Sequence, residues 1–121
     1  MCVMETLKLY ALATRPWSFT AAAIPVLVTA AVIGADLYSL TLVRALGLGV
    51  AVQAGANLTN TYFDFINGVD NKDTVASGCA ERTLVDKKMS SVGVVLLSLF
   101  FYICAIGCVF PTLRTASNGQ T

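Results

Sequence analysis

The sequence has no histidine, and only 12% of its 121 residues are charged. The usual zinc ligand, and the usual proton shuttle near neutral pH, are therefore both missing. The cysteines Cys2, Cys79, Cys104 and Cys108 contain no CxxC pair, which argues against a zinc or iron–sulfur site. Cys104 and Cys108 lie one helical turn apart in an apolar run with no other ligand nearby, and they read as small soft residues packing between helices. Neither sign of charge dominates: eight basic and seven acidic residues give a net +1, so nothing points to nucleic acid. Any phosphate binding must be local. The opening MCVMETLKLYALATRPW lacks a basic region followed by an uninterrupted apolar core and a small-residue cleavage site, and it reads as mature sequence.

What the chain has in abundance is apolar surface: 56% hydrophobic residues and a mean hydropathy of +0.73. A small soluble domain has no single core large enough to hide that much, so the bilayer is the natural solvent. Three apolar stretches, 17–35, 45–66 and 91–110, are each long enough to cross the hydrocarbon as a helix. The expected fold is therefore all-α, a multi-pass integral membrane protein with a polar loop over 67–90. Pro25 lies within the first stretch. Arg15, Pro16 and Trp17 read as its interfacial start, with an aromatic anchor at headgroup depth. Pro111 is expected to stop the third span, leaving TLRTASNGQT to fray. Lys8 and Arg15 share one side with Lys72, Arg82, Lys87 and Lys88, against Arg44 and Arg114 on the other, which predicts a cytosolic N-terminus and loop.

Within the second stretch Gln53, Asn57, Asn60 and Asp64 recur at spacings of four, three and four, which places them on one narrow helix face with Thr61 beside them. In lipid such groups turn toward a bundle interior or a wet cavity. Two roles are open to the stripe: a path for substrate or ions, or a set of interhelical hydrogen bonds that joins helices. A plain membrane anchor would require the whole stripe to be accidental.

Asp70 follows Asp64 by six residues, so a helix that simply continued would carry the two carboxylates to different sides. Gly68, preceded by Asn67, is placed to end the helix in a left-handed cap and turn Asp70 back toward Asp64. Two carboxylates and an amide oxygen suit magnesium, which takes few protein oxygens and fills its other positions with water or phosphate.

The stretch NLTNTYFDFINGVDNKD, from Asn57, resembles the first aspartate-rich motif of the UbiA prenyltransferase superfamily, through Asn60, Asp64, Gly68 and Asp70. ERTLVD, from Glu81, and RPWSFTAAAIPV, from Arg15, are similar to its vitamin K and menaquinone branch. The resemblance runs from Leu12 to Gly107. It implies an N-terminal part of a UbiA-type multi-helix bundle that transfers an isoprenyl group from an allylic diphosphate to an aromatic quinone precursor. By the same resemblance Asp64 and Asp70 are the catalytic carboxylates, and Mg2+ is held by Asn60, Asp64 and Asp70. Lys72 and Arg82 would meet the diphosphate, with Asn60 and, in support, Asn57. The resemblance also implies the membrane of the endoplasmic reticulum, Golgi or mitochondrion.

Two features depart from that pattern. DTVASGCAERTLVD replaces a shorter and more acidic lead-in to RTLVD, and no second aspartate-rich motif follows Pro111. Three spans do not enclose a long isoprenoid. The expectation is an incomplete chain, inactive or very weak by itself, and the alternative is a truncated isoform that associates with other membrane helices or with a full-length enzyme.

Overall fold

The computed structural model describes residues 3–69 and 90–118. Helix α1 covers Val3–Ala13, a 3-10 turn covers Pro16–Ser18, α2 covers Phe19–Val32, α3 covers Leu40–Ile66 and α4 covers Ser91–Asn118. By length and composition three stretches can cross a membrane: Leu7–Val32, Leu40–Ile66 and Ser91–Arg114. The all-helical expectation holds. Most of the expected loop over 67–90, including Asp70, Lys72 and Arg82, lies outside the described residues.

The first span differs from the expectation in a way that matters below. At about 1.5 Å per residue, the 14-residue α2 is about 21 Å long, short of a hydrocarbon core of about 30 Å. The span is completed by α1, so it is a broken helix, and Trp17 falls within it and not at its start. The break is local in origin. Pro16 lacks an N–H and disfavours helical backbone at the residue before it. Arg15 accordingly takes a left-handed conformation, φ 52° and ψ 66°.

The second span begins at Leu40, five residues earlier than expected, because Ser39 caps it: its hydroxyl accepts from the Leu42 N–H at 3.2 Å. Nor does Pro111 stop α4, which continues to Asn118, with the stretch able to cross a membrane reaching Arg114. A proline removes one helical bond and crowds the carbonyl four residues back, here that of Gly107, and a Cβ added at Gly107 would meet nothing within 4 Å. Helices in membranes tolerate an internal proline where neighbouring groups satisfy the freed backbone.

α3 is the central element, packed along α4 and more lightly against α2. Both neighbours run antiparallel to it. Ser18, Ala22 and Ala30 of the first span meet α3 progressively nearer its start, and Val94, Tyr102 and Cys108 of α4 do the same. The α3–α4 seam relies on small residues, since apolar surface alone does not drive helices together in lipid. Tyr102 lies over Gly55, where a Cβ would come within 2.9 Å of the ring, and its hydroxyl reaches Thr59 Oγ1 at 3.2 Å. Cys108 lies against Gly47, consistent with a packing role for that thiol. At the other end α1 folds onto α3 and α4 through Ala13, Leu58 and Val94, flanked by Leu9, Tyr10, Tyr62, Phe65, Leu97 and Phe101. Outward positions such as Ile24, Val28, Leu96 and Ile103 are exposed, as expected of a lipid-facing surface.

Candidate functional site

The polar stripe on α3 divides into two halves with different surroundings. In the half nearer the helix start, Gln53 and Asn57 face the break in the first span. The Asn57 Nδ2 group donates to the Thr14 carbonyl at 2.7 Å and to the Ser18 hydroxyl at 2.8 Å. Gln53 Nε2 donates to the same Ser18 hydroxyl at 3.3 Å and to Asn57 Oδ1 at 3.5 Å. Ser18 in turn donates to the Arg15 carbonyl at 2.8 Å, so this hydroxyl is a junction between the two spans. Asn57 is buried, and so is Thr61, whose hydroxyl returns to the Asn57 carbonyl at 3.0 Å.

The physical reason is clear from the backbone. A break in a membrane helix exposes peptide groups that water cannot reach, and each costs free energy unless another group satisfies it. The left-handed turn at Arg15 adds roughly 1–2 kcal/mol of strain. The two amides opposite the break satisfy the Thr14 carbonyl and fix the Ser18 hydroxyl. For these two residues the structure shows interhelical bonding. Asn57, expected to support a diphosphate, has both of its amide hydrogens donated to the first span.

The other half of the stripe remains open. Asn60 is exposed and Asp64 is half-buried, about 6 Å apart along the axis at helical rise. α3 ends two residues beyond Asp64, at Ile66. Asn67 caps it, and Gly68 follows with φ +73°, its N–H donating to the Phe65 carbonyl at 3.2 Å. Only a glycine enters that region without strain, so α3 ends where the sequence led one to expect. Tyr62 packs into the α1 contact, while Phe63, edge-on to it at 5.6 Å between ring centres, is exposed. Neither aromatic ring joins the open half of the stripe. Asp70, Lys72 and Arg82 lie outside the described residues, so the convergence of Asp70 on Asp64 has no geometry here.

The donor types present fit a hard cation. An amide oxygen at Asn60 and a carboxylate at Asp64 are oxygen ligands of the kind magnesium takes, and half-burial leaves Asp64 accessible. Among the described residues no three of His, Cys, Asp and Glu cluster, so a cation here would complete its shell with oxygens from elsewhere.

Comparison with known proteins gives a consistent set of relatives. UbiA prenyltransferase domain-containing protein 1 of Xenopus tropicalis is 39% identical over 103 residues, which is 83% of this chain and 28% of that protein. The human protein of that name is 39% identical with the same two coverages. The Drosophila melanogaster homologue is 37% identical over 106 residues, covering 84% of this chain and 28% of its own length. The chain is a homologue of the UbiA prenyltransferase domain-containing proteins. It spans less than a third of the length of these relatives. No protein-family model matches the chain, and no solved structure matches it.

As a UbiA homologue the chain carries a feature that the sequence reading missed, the network joining Ser18 to Gln53 and Asn57. The signal for it was present: an Arg-Pro step inside a stretch long enough to span a membrane marks a backbone break, and buried amides on a neighbouring helix are what such a break needs.

Proposed function

We propose that this chain contributes the diphosphate-binding face of a membrane prenyltransferase, an enzyme that moves an isoprenyl group from an allylic diphosphate to an aromatic quinone precursor of the menaquinone or vitamin K type. The observation that carries the reading is Asp64: a carboxylate on a membrane-spanning helix, half-buried, one turn beyond Asn60 and two residues before the helix ends. Ionisable groups in such positions mark sites of ligand or ion handling, because lipid disfavours them otherwise. The names of the curated relatives support the reaction class.

In this proposal Asn60, Asp64 and Asp70 hold Mg2+, and Lys72 and Arg82 contact the diphosphate. Bound there, the metal would neutralise charge that develops on the departing diphosphate, the electrostatic aid that breaking an allylic carbon–oxygen bond requires. Asp64 supplies charge at a fixed depth, and Asn60 orients the donor set from the preceding turn. Asn57 and Gln53 act through the first span, by holding the helix that faces the site.

A second reading has its own observation. Gln53 and Asn57 already serve as interhelical bonds, which is what a purely structural stripe would do. Under that reading the chain is an inactive membrane isoform that associates with other helices or a full-length enzyme. The test is an assay of the purified chain, in lipid nanodiscs, with magnesium, an allylic diphosphate and a naphthoquinone precursor, alongside magnesium-dependent binding of the diphosphate. The proposal expects binding that Asp64→Asn abolishes while helicity is unchanged. Equal binding by Asp64→Asn would refute it, and binding without product would favour the second reading.

A further inference from the structure

We propose that the groove between α3 and α4, at the end of the bundle away from Asp64, holds an anionic phospholipid, with its phosphate on Arg44 and one acyl chain along Leu48, Val52, Ile106 and Phe110. The site is separate from the diphosphate reading and stands whether or not that reading does.

Two adjoining cavities make the groove. The outer one, about 210 Å³, is lined by Thr41 and Arg44 of α3 and shares Leu48, Val109 and Leu113 with the inner one. The inner one, about 480 Å³, runs on past Ile106 to Val52 and Tyr102. Val52 is eight residues beyond Arg44, so the groove reaches about 12 Å deeper along the helix. The inner walls are apolar save for the Tyr102 hydroxyl, which is already bonded to Thr59 at 3.2 Å. A ligand there gains by burying hydrocarbon and finds no partner for polar groups of its own. Ile106, Phe110 and Leu113 on the rim are exposed, so the groove faces the surrounding lipid.

Arg44 supplies charge at a matching depth. With 27 residues, α3 is about 40 Å long, and a bilayer with its headgroups measures about 40–45 Å. Arg44 is the fifth residue, about 6 Å from the start, which places it at the inner edge of the headgroup layer. Its Cα–Cβ bond leans toward the helix start, so the guanidinium reaches up to phosphate depth. Among the described residues no hydrogen bond or ion pair engages Arg44. Asp36, the acidic residue of the α2–α3 connection, is turned to the Tyr38 N–H at 2.9 Å. Arg114 lies at the same end but is exposed and lines neither cavity. A half-buried cation at the mouth of an apolar groove fits an amphiphile with a negative head and a hydrocarbon tail, and basic pockets between membrane helices take such headgroups. The guanidinium fork suits two phosphate oxygens, and Thr41, three residues earlier on the same face, adds a hydroxyl. A choline headgroup would bring its own cation beside the guanidinium, so a net-negative head is favoured.

The test is native mass spectrometry of the purified chain, released from micelles that hold phosphatidic acid and phosphatidylcholine in equal amounts with the same acyl chains. One phosphatidic acid per chain should be retained, in about fivefold preference, the scale of one basic residue at an anionic surface. Arg44→Gln should remove the preference, and Arg114→Gln should keep it. Val109→Trp, which fills the junction of the two cavities, should lower retention with the guanidinium intact. Equal retention of the two lipids by the parent, or a preference unchanged in Arg44→Gln, refutes the site. A lipid-free dimer would assign the groove to a second copy of the chain and refute it too. Displacement of the lipid by inorganic phosphate, with no effect of Val109→Trp, would leave a bare anion site and overturn the role of the groove. Should a variant fail to fold, phenylglyoxal modification of the unaltered chain in nanodiscs decides: phosphatidic acid in place of phosphatidylcholine should slow reaction at Arg44 more than at Arg114, and equal slowing refutes the proposal.

Discussion

Replacing Asn57 by alanine tests whether an amide on α3 holds the broken first span together. The substitution removes donors to the Thr14 carbonyl at 2.7 Å and the Ser18 hydroxyl at 2.8 Å. Interhelical hydrogen bonds in membranes average about 0.6 kcal/mol and reach about 1.7 kcal/mol, so two of good length amount to about 1–3 kcal/mol. The upper part of that range is the better expectation, because Thr14 is buried and its carbonyl loses its partner with no access to water. The assay is reversible unfolding of the purified chain in mixed micelles, followed by far-ultraviolet circular dichroism. A double-mutant cycle with Ser18→Ala isolates the shared part, with an expected coupling of about 0.5–1.5 kcal/mol. The cycle excludes a trivial loss of volume at position 57, since Ser18→Ala alone creates almost no cavity. A change under about 0.3 kcal/mol for Asn57→Ala, with no coupling to Ser18, would refute the account of the break.

Two glycine substitutions separate steric from conformational effects. A Cβ at Gly55 would lie 2.9 Å from the Tyr102 ring, so Gly55→Ala should destabilise the α3–α4 seam by about 1–3 kcal/mol, whereas Gly107→Ala, with nothing within 4 Å, should be neutral or slightly stabilising in the same unfolding assay. Gly68→Ala also meets nothing within 4 Å, so its cost of about 1 kcal/mol should come from φ +73° alone, and Gly68→Asn should recover part of it.

The sequence made the number of spans and their order readable because long apolar runs have few alternatives in an aqueous cell. It also located the end of α3, because Asn67 and Gly68 sit where an apolar run gives way to charge. The positions that misled share a cause. Pro16 and Pro111 are both helix breakers on local grounds, yet the chain breaks at one and continues through the other. At Pro16 the structure has partners ready for the freed groups, through Asn57 and Ser18; at Pro111 the preceding turn offers Gly107 and the helix continues. Which outcome holds depends on residues 40 positions away or on space between helices, and neither is local. The stripe shows the same limit. Its spacing fixed which residues share a face, but only packing could assign Gln53 and Asn57 to the first span and leave Asn60 and Asp64 open.

That division explains why a metal is part of the proposed chemistry. α3 presents its C-terminal end at the open half of the stripe, where the helix dipole places roughly half a negative charge. Asp64 adds a full one. A diphosphate approaching this end meets repulsion, the reverse of the sites in which a helix N-terminus receives phosphate directly. The geometry can hold an anion only through a cation placed between them, or through a basic group brought in from another element. The carboxylate and the helix end favour the first. Under the proposed function, diphosphate binding at this face should therefore be conditional on a divalent cation.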